Sequence, residues 1–181
     1  MRRTAVALAL LIVPVLALSG CAPTPPPATG DPKPSSTPLF ANEEEALKAA
    51  TEAYAAYLKV SDQIAADGGV RPERIEPYVT AAQQKNEARG FSLYSQQSRR
   101  AQGSTSFSNA KVQQYGSKFV DMYACVDFSG TQLIDSSGVD ITPTDRADRQ
   151  AFELKFEVKT LSGRNDLLLD GSELWSGVGV C

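Results

Sequence analysis

The side chains of this chain that could carry acid–base chemistry are aspartates and tyrosines in its second half. Asp121, Tyr123 and Asp127 occupy odd positions of one strand-like run, so a regular strand would place them on one face. A carboxylate can act as a general base, and a phenol can stabilise an enolate. The structural alternative is that Asp127 bonds locally to the turn at Ser129-Gly130 and that the tyrosine fills a core. We expect the structural role and predict no catalytic residue.

Metal chemistry would have to depend on carboxylates, because the chain contains no histidine. This absence removes Ser-His-Asp and Cys-His nucleophile arrangements and histidine metal sites. Asp166 and Asp170 lie four residues apart, but an extended strand would separate them by roughly 13 Å. No calcium-loop pattern surrounds them. We predict solvated surface charge at both positions and expect no metal and no other cofactor.

The N-terminal segment has the pattern of an export signal. Arg2 and Arg3 precede an apolar run of 14 residues, from Ala5 to Leu18, which is too short to span a bilayer stably. Pro14 within the run argues against the alternatives, a membrane anchor or a buried core helix. The segment therefore predicts a cleavable signal peptide.

The leader ends in the tetrapeptide Leu18-Ser19-Gly20-Cys21. Its small residues let a peptidase approach the backbone, and Cys21 carries the one side chain there that can form a thioether to diacylglycerol. In this motif the chain resembles the bacterial lipoproteins. The resemblance implies cleavage between Gly20 and Cys21, acylation of Cys21, and attachment to the extracytoplasmic face of the cell membrane.

These patterns divide the chain into three predicted segments: a signal peptide at 1–20, a lipidated cysteine with a proline-rich tether at 21–38, and one domain at 39–181. Seven prolines between residues 22 and 38 favour an extended, solvated spacer, with a proline-rich partner motif as the alternative. Cleavage would remove two of the 18 basic residues and leave 16 against 21 acidic ones, a formal net charge of −5. This charge disfavours nucleic acid as a partner, so we assign the membrane contact to the lipid.

Two cysteines, Cys125 and Cys181, remain once Cys21 is acylated. An oxidising compartment favours their pairing, which would tie the last residue of the chain to the middle of a predicted sheet. The alternative is two separate buried thiols. A redox site is disfavoured because the sequence has no C-x-x-C motif.

The first part of the domain has helical patterns. Asn42 precedes three glutamates, which is typical of a helix start, and apolar residues recur at helical spacing as far as Ile64. This helix is predicted to end at Gly68-Gly69. Helical turns at Pro72 and Pro77 then lead into a second helix, predicted to end at Arg89-Gly90.

From Phe91 onward the pattern favours an antiparallel sheet. In Phe152–Lys159 the apolar side chains alternate with charged ones, so one face should be core and the other solvent. Val120–Phe128 alternates too, with Tyr123 and Cys125 on its opposite face, which predicts a central strand covered on both sides. The run 167–175 predicts a closing strand, and Arg99-Arg100 a hairpin.

Helices followed by strands predict an α+β fold, with the N-terminal helices in the concave face of a curved antiparallel sheet. The run Tyr123-Ala124-Cys125-Val126-Asp127-Phe128-Ser129-Gly130, the approach Asp145–Arg149 into a strand, and Leu174-Trp175-Ser176-Gly177 before a terminal cysteine resemble exported actinobacterial lipoproteins of the SnoaL-like superfamily. That superfamily is also named for nuclear transport factor two. The resemblance covers about Glu43 to Cys181; it implies a cone-shaped, cystatin-like fold and supports the pairing of Cys125 with Cys181.

The resemblance does not select an activity, because the superfamily includes isomerases, cyclases and dehydratases as well as members that only bind or assemble. We expect a non-catalytic binding or protein-interaction module at the cell surface, with a cell-envelope protein as its partner. A carrier of a small apolar ligand in the cone cavity is the alternative and would need an open, mainly apolar pocket. An isomerase or cyclase would need Asp121 or Asp127 to meet Tyr123 inside that pocket, with a raised carboxylate pKa.

Overall fold

The computed structural model describes residues 39–161 and 164–181. The predicted signal peptide, its cleavage site at Gly20-Cys21 and the tether lie outside the described residues. In the part of the chain that the structure describes, no helix combines the length and the apolar character that crossing a membrane requires.

Helix α1 spans Glu43–Ala66 and begins and ends where the sequence predicts. The side chain of Asn42 caps its first turn by accepting from the Glu45 backbone N–H at 2.9 Å, and the Glu45 carboxylate accepts from the Ala41 N–H at 2.7 Å. The chain leaves the helix through Gly68 and Gly69, both at positive φ. A Cβ at Gly69 would lie 2.0 Å from the Phe91 carbonyl oxygen, so this close approach requires glycine.

A 3-10 helix at Pro72–Tyr78 connects α1 to helix α2, which spans Ala81–Gln96. The prediction that α2 ends at Arg89-Gly90 is wrong, since the helix continues for six residues beyond Gly90. Phe91, on the next position, is 4% exposed and belongs to the hydrophobic core. Burial of this aromatic side chain outweighs the roughly 1 kcal/mol that a glycine costs within a helix.

Four strands form the main antiparallel sheet, in the order β2-β3-β5-β6. Strand β2 spans Ser106–Tyr115, β3 spans Phe119–Asp127, β5 spans Arg149–Leu161 and β6 spans Arg164–Leu174. The prediction that β3 is central is confirmed, because it pairs with β2 on one side and β5 on the other. Helices on a mainly antiparallel sheet make the fold α+β.

A second, two-stranded sheet joins β1 (Arg100–Gly103) to β4 (Thr131–Ile134). The hairpin predicted at Arg99-Arg100 is therefore wrong: β1 does not pair with the strand that follows it. Gly103, at a φ of 96°, packs against the Gly130 carbonyl and turns the chain from β1 into the main sheet.

The core lies between α1 and one face of the main sheet. On β5, Leu154 and Phe156 are buried, whereas Glu157 and Lys159 are exposed, which confirms the predicted alternation. The even-numbered residues of β3 face the same core, and the aromatic ring of Tyr54 on α1 meets Phe156 edge-on at 6.5 Å. We call this side the helix face of the sheet and the opposite side the outer face.

Candidate functional site

The predicted set Asp121, Tyr123 and Asp127 does share one face of β3, but it is the outer face. The face follows from the pleat: Val120 and Met122 belong to the core against α1, so the odd-numbered residues between and after them point away from it. These three side chains therefore do not meet beneath the helices, which is the arrangement that an isomerase or cyclase would need.

Each of the three side chains has its own local partners. The Asp121 carboxylate, 9% exposed, accepts from the Gln114 amide at 2.7 Å. The Tyr123 ring packs against Trp175 with centroids 4.5 Å apart. Burial, with the nearby charges of Glu153 and Asp121, raises the pKa of Tyr123 above its ordinary value. The phenol therefore stays protonated at neutral pH.

Asp127 closes a turn. Its Oδ1 accepts from the Ser129 hydroxyl at 2.6 Å and from the Ser129 backbone N–H at 2.9 Å. These two hydrogen bonds, together with Arg149, lower the pKa of Asp127. A general base needs a pKa raised toward neutrality, so the local chemistry opposes that role and agrees with the structural interpretation.

Ser129→Ala is expected to raise the pKa of Asp127 toward its ordinary value of 3.8, because the hydroxyl contributes most to lowering it. Since the folded-state pKa lies below the unfolded one, Asp127 stabilises the fold above its unfolded pKa, and this contribution is lost as pH falls through the folded pKa. The stability difference between wild type and variant should therefore shrink in acid. A carboxyl NMR titration measures the pKa directly.

The matched control is Ser137→Ala, because Ser137 donates to Asp135 in the same way and lowers the pKa of Asp135. This control should move the titration of Asp135 and leave that of Asp127 in place. An unchanged Asp127 titration in Ser129→Ala would contradict the turn assignment.

The C-terminal segment 175–181, which we call the strap, crosses the outer face from β6 to β3. It is attached at its start by the Trp175 N–H, which donates to the Ala151 carbonyl at 2.8 Å. At its end, the predicted bridge between Cys125 and Cys181 is present, and Asn109 on β2 donates to the Val180 carbonyl at 3.0 Å. The strap therefore covers the outer face of the central strand.

Apolar side chains in and beside the strap are exposed to solvent, although both ends of the strap are attached to the sheet. Val178 is 97% exposed and Trp175 is 37% exposed. Leu174, the last residue of β6, is 68% exposed, but as the register partner of Phe152 it lies on the helix face, opposite Trp175. Exposed apolar side chains such as Trp175 and Val178, held on an anchored backbone, are typical of a contact surface.

A cleft of about 700 Å³ lies between α1 and the ends of β5 and β6. We call it the helix–sheet cleft. Residues from α1, the segment before it, the 3-10 helix and the two strands line it: Leu39, Phe40, Glu45, Ala49, Glu52, Ala53, Ala56, Pro77, Tyr78, Val158, Asn165, Asp166 and Leu167. Sequence reasoning missed this site. Its signal was the small side chains at Ala49, Ala53 and Ala56, which recur on one face of α1.

A second cleft, of about 540 Å³, lies on the other side of α1 against the start of β2. Asp62 lies in it and accepts from the Thr105 backbone N–H at 2.8 Å and the Thr105 hydroxyl at 2.9 Å. Burial raises the pKa of Asp62, while these hydrogen bonds oppose the rise. The carboxylate ties the chain before β2 to α1, which gives it a structural role.

The polar groups between the two helices are also engaged with one another. The Tyr57 hydroxyl donates to Glu87 at 2.9 Å, and the Gln83 amide donates to the same carboxylate oxygen at 2.8 Å. Burial raises the pKa of both Tyr57 and its neighbour Tyr54, so both phenols stay protonated. This network joins α1 to α2.

Among residues 39–161 and 164–181, no group of three His, Cys, Asp or Glu side chains lies close enough to hold a metal ion. Comparisons of the chain with protein-family models, with curated proteins and with solved structures gave no match.

Proposed function

We propose that this protein is a lipid-anchored extracytoplasmic lipoprotein whose domain is a non-catalytic protein-interaction module. The observation that carries the interaction role is the strap, which presents Trp175 and Val178 to solvent. The disulfide and the Trp175 backbone hydrogen bond hold this surface in place, so a partner would pay little ordering entropy to bind it.

Site-specific photo-cross-linking in cells tests this role. With a benzoylphenylalanine at Val178 of the full chain, we expect a discrete adduct with one envelope protein, identified by mass spectrometry. The same protein should be captured from Ser176, which is exposed in the strap, and should be lost when Trp175 is replaced by alanine, since a central aromatic often dominates such contacts.

The matched control for the cross-linking is Val139, an exposed valine in the loop after β4. An adduct that forms equally from Val139 and Val178 reflects collision and not docking. Absence of any adduct specific to Val178 and Ser176 would contradict the interaction role of the strap.

The fold assignment that accompanies this proposal is the SnoaL-like superfamily, with its cone-shaped arrangement. Its support is the order of elements, in which α1 and α2 precede an antiparallel sheet and α1 packs along one face of that sheet. In this proposal the packed aromatic residues beneath α1 fill the narrow part of the cone, and the helix–sheet cleft is its open end.

A carrier of a small ligand is the second candidate function, and the helix–sheet cleft favours it. Its volume of about 700 Å³ falls in the range of small-molecule sites, and most of its lining residues are apolar. The centre of the helix–sheet interface is filled by Tyr54, Met122 and Phe156, so a ligand would have to bind at this end.

A further inference from the structure

We propose that the helix–sheet cleft selects a small organic cation with an apolar body, of the alkylammonium class. This inference rests on the carrier function given above as the second candidate, and it names the chemistry of the ligand. Three features of the cleft carry it: the alanines that open it, the apolar floor, and the carboxylates of Glu45 and Glu52 at its edge. No lysine or arginine is among the described residues that line it.

The alanines of α1 create the space. Ala49, Ala53 and Ala56 lie at a spacing of four and three residues, so they share one face of the helix. Opposite them, Val158 and Leu167 form the sheet side of the cleft. Larger side chains at these alanine positions would close the gap between helix and sheet. The cleft therefore has an apolar interior that an alkyl or aryl group can occupy.

The charge of the cleft is negative. Glu45 and Glu52 come from the same face of α1, two turns apart. The Glu45 carboxylate also accepts the Ala41 N–H at 2.7 Å. Lys48, on α1 between these two glutamates, does not line the cleft.

This combination discriminates between ligand classes. An anionic head group would meet like charge from Glu45 and Glu52, and a neutral one would gain nothing from them. An ammonium group at the edge of the cleft would be attracted by both carboxylates while its apolar part replaces water on the alanine side. The net charge of −5 expected for the mature chain acts in the same direction.

The test compares three probes that share one alkyl chain and differ only in the head group: n-octylamine, n-octanol and octanoate. At neutral pH the amine is protonated and octanoate is ionised. The protein is the chain from residue 22 onward, exported behind a signal without a lipobox so that no attached lipid competes. Calorimetry gives the Kd, and shifts in the amide NMR spectrum locate the site.

We expect octylamine to bind roughly three- to tenfold more tightly than octanol, the range that one or two exposed ion pairs supply, and octanoate to bind most weakly. Ala53→Leu should abolish binding of all three probes. Its matched control is Ala55→Leu, on the side of α1 that faces the second cleft, which should leave binding unchanged.

A second pair of variants separates charge from shape and does not disturb the core. Glu52→Gln should reduce the ratio of the octanol Kd to the octylamine Kd. Glu44, which is exposed on the same helix and lies outside the cleft, is the control, and Glu44→Gln should leave this ratio unchanged. Added salt should reduce the same ratio of Kd values in wild type.

The outcomes separate the cation preference from the carrier function on which it rests. If octylamine and octanol bind equally and Ala53→Leu abolishes both, the cation preference is overturned while the carrier function stands. If no probe binds, or if Ala53→Leu leaves binding intact, both the cation preference and the carrier function at this cleft are overturned.

Discussion

Replacing both Cys125 and Cys181 by alanine is expected to lower the free energy of unfolding by about 4 kcal/mol, and to lower the Tm by roughly 10 °C. The bridge joins residues 56 positions apart, and closing a loop of that size restricts the unfolded chain. It also attaches the strap to a central strand. Denaturant unfolding of oxidised wild type and the double variant measures the difference.

Reduction provides the matched control for this prediction. A thiol reductant should destabilise wild type by the same amount and leave the double variant unchanged, because the bridge is the target in both cases. Trp175 is the single tryptophan of the chain and packs on Tyr123 beside the strap, so its fluorescence reports release of the strap before global unfolding. A loss of stability below about 1 kcal/mol would show that the bridge does little for the fold.

Cys21→Ala is expected to abolish covalent lipid attachment completely. The proposal gives Cys21 the one thiol that is acylated, so the variant should take up no labelled palmitate in cells, whereas wild type should. Mass spectrometry of the N-terminal peptide gives a second readout: in wild type it should begin at Cys21 and carry the mass of a diacylglyceryl group.

The double variant of Cys125 and Cys181 is the control for lipidation, because it removes two thiols and keeps Cys21. It should be labelled as strongly as wild type if it is exported. Label that persists in Cys21→Ala would place the acyl group elsewhere, and wild type without label would reject the lipoprotein proposal.

Local sequence signals were enough to predict α1. Its cap at Asn42 and its end at Gly68 and Gly69 depend on hydrogen bonds and backbone angles within a few residues, and the sequence displays these directly. The alternation in β5 is of the same kind, since period-two burial is a property of a single strand. The pairing of Cys125 with Cys181 was favoured by counting the thiols of a chain that the sequence predicts to be exported.

The end of α2 could not be predicted from local sequence signals. Gly90 is a local stop signal, but the Phe91 side chain gains more by entering the core than the glycine loses within a helix. The pairing of β1 with β4, instead of with its neighbour β2, could not be predicted from the sequence for a related reason. It depends on contacts between segments about 30 residues apart, which no local pattern records.

The sequence by itself determined the helix-then-strand order, the alternating faces of the strands and the set of side chains on each face of β3. Only the tertiary structure decided which of those faces meets α1. Asp121, Tyr123 and Asp127 share a face because a strand alternates, but they lie outside because the larger apolar set on β3 packs against the helix. The helix–sheet cleft likewise exists because alanines of α1 face β5 and β6. The distance between this helix and these strands is determined by packing alone.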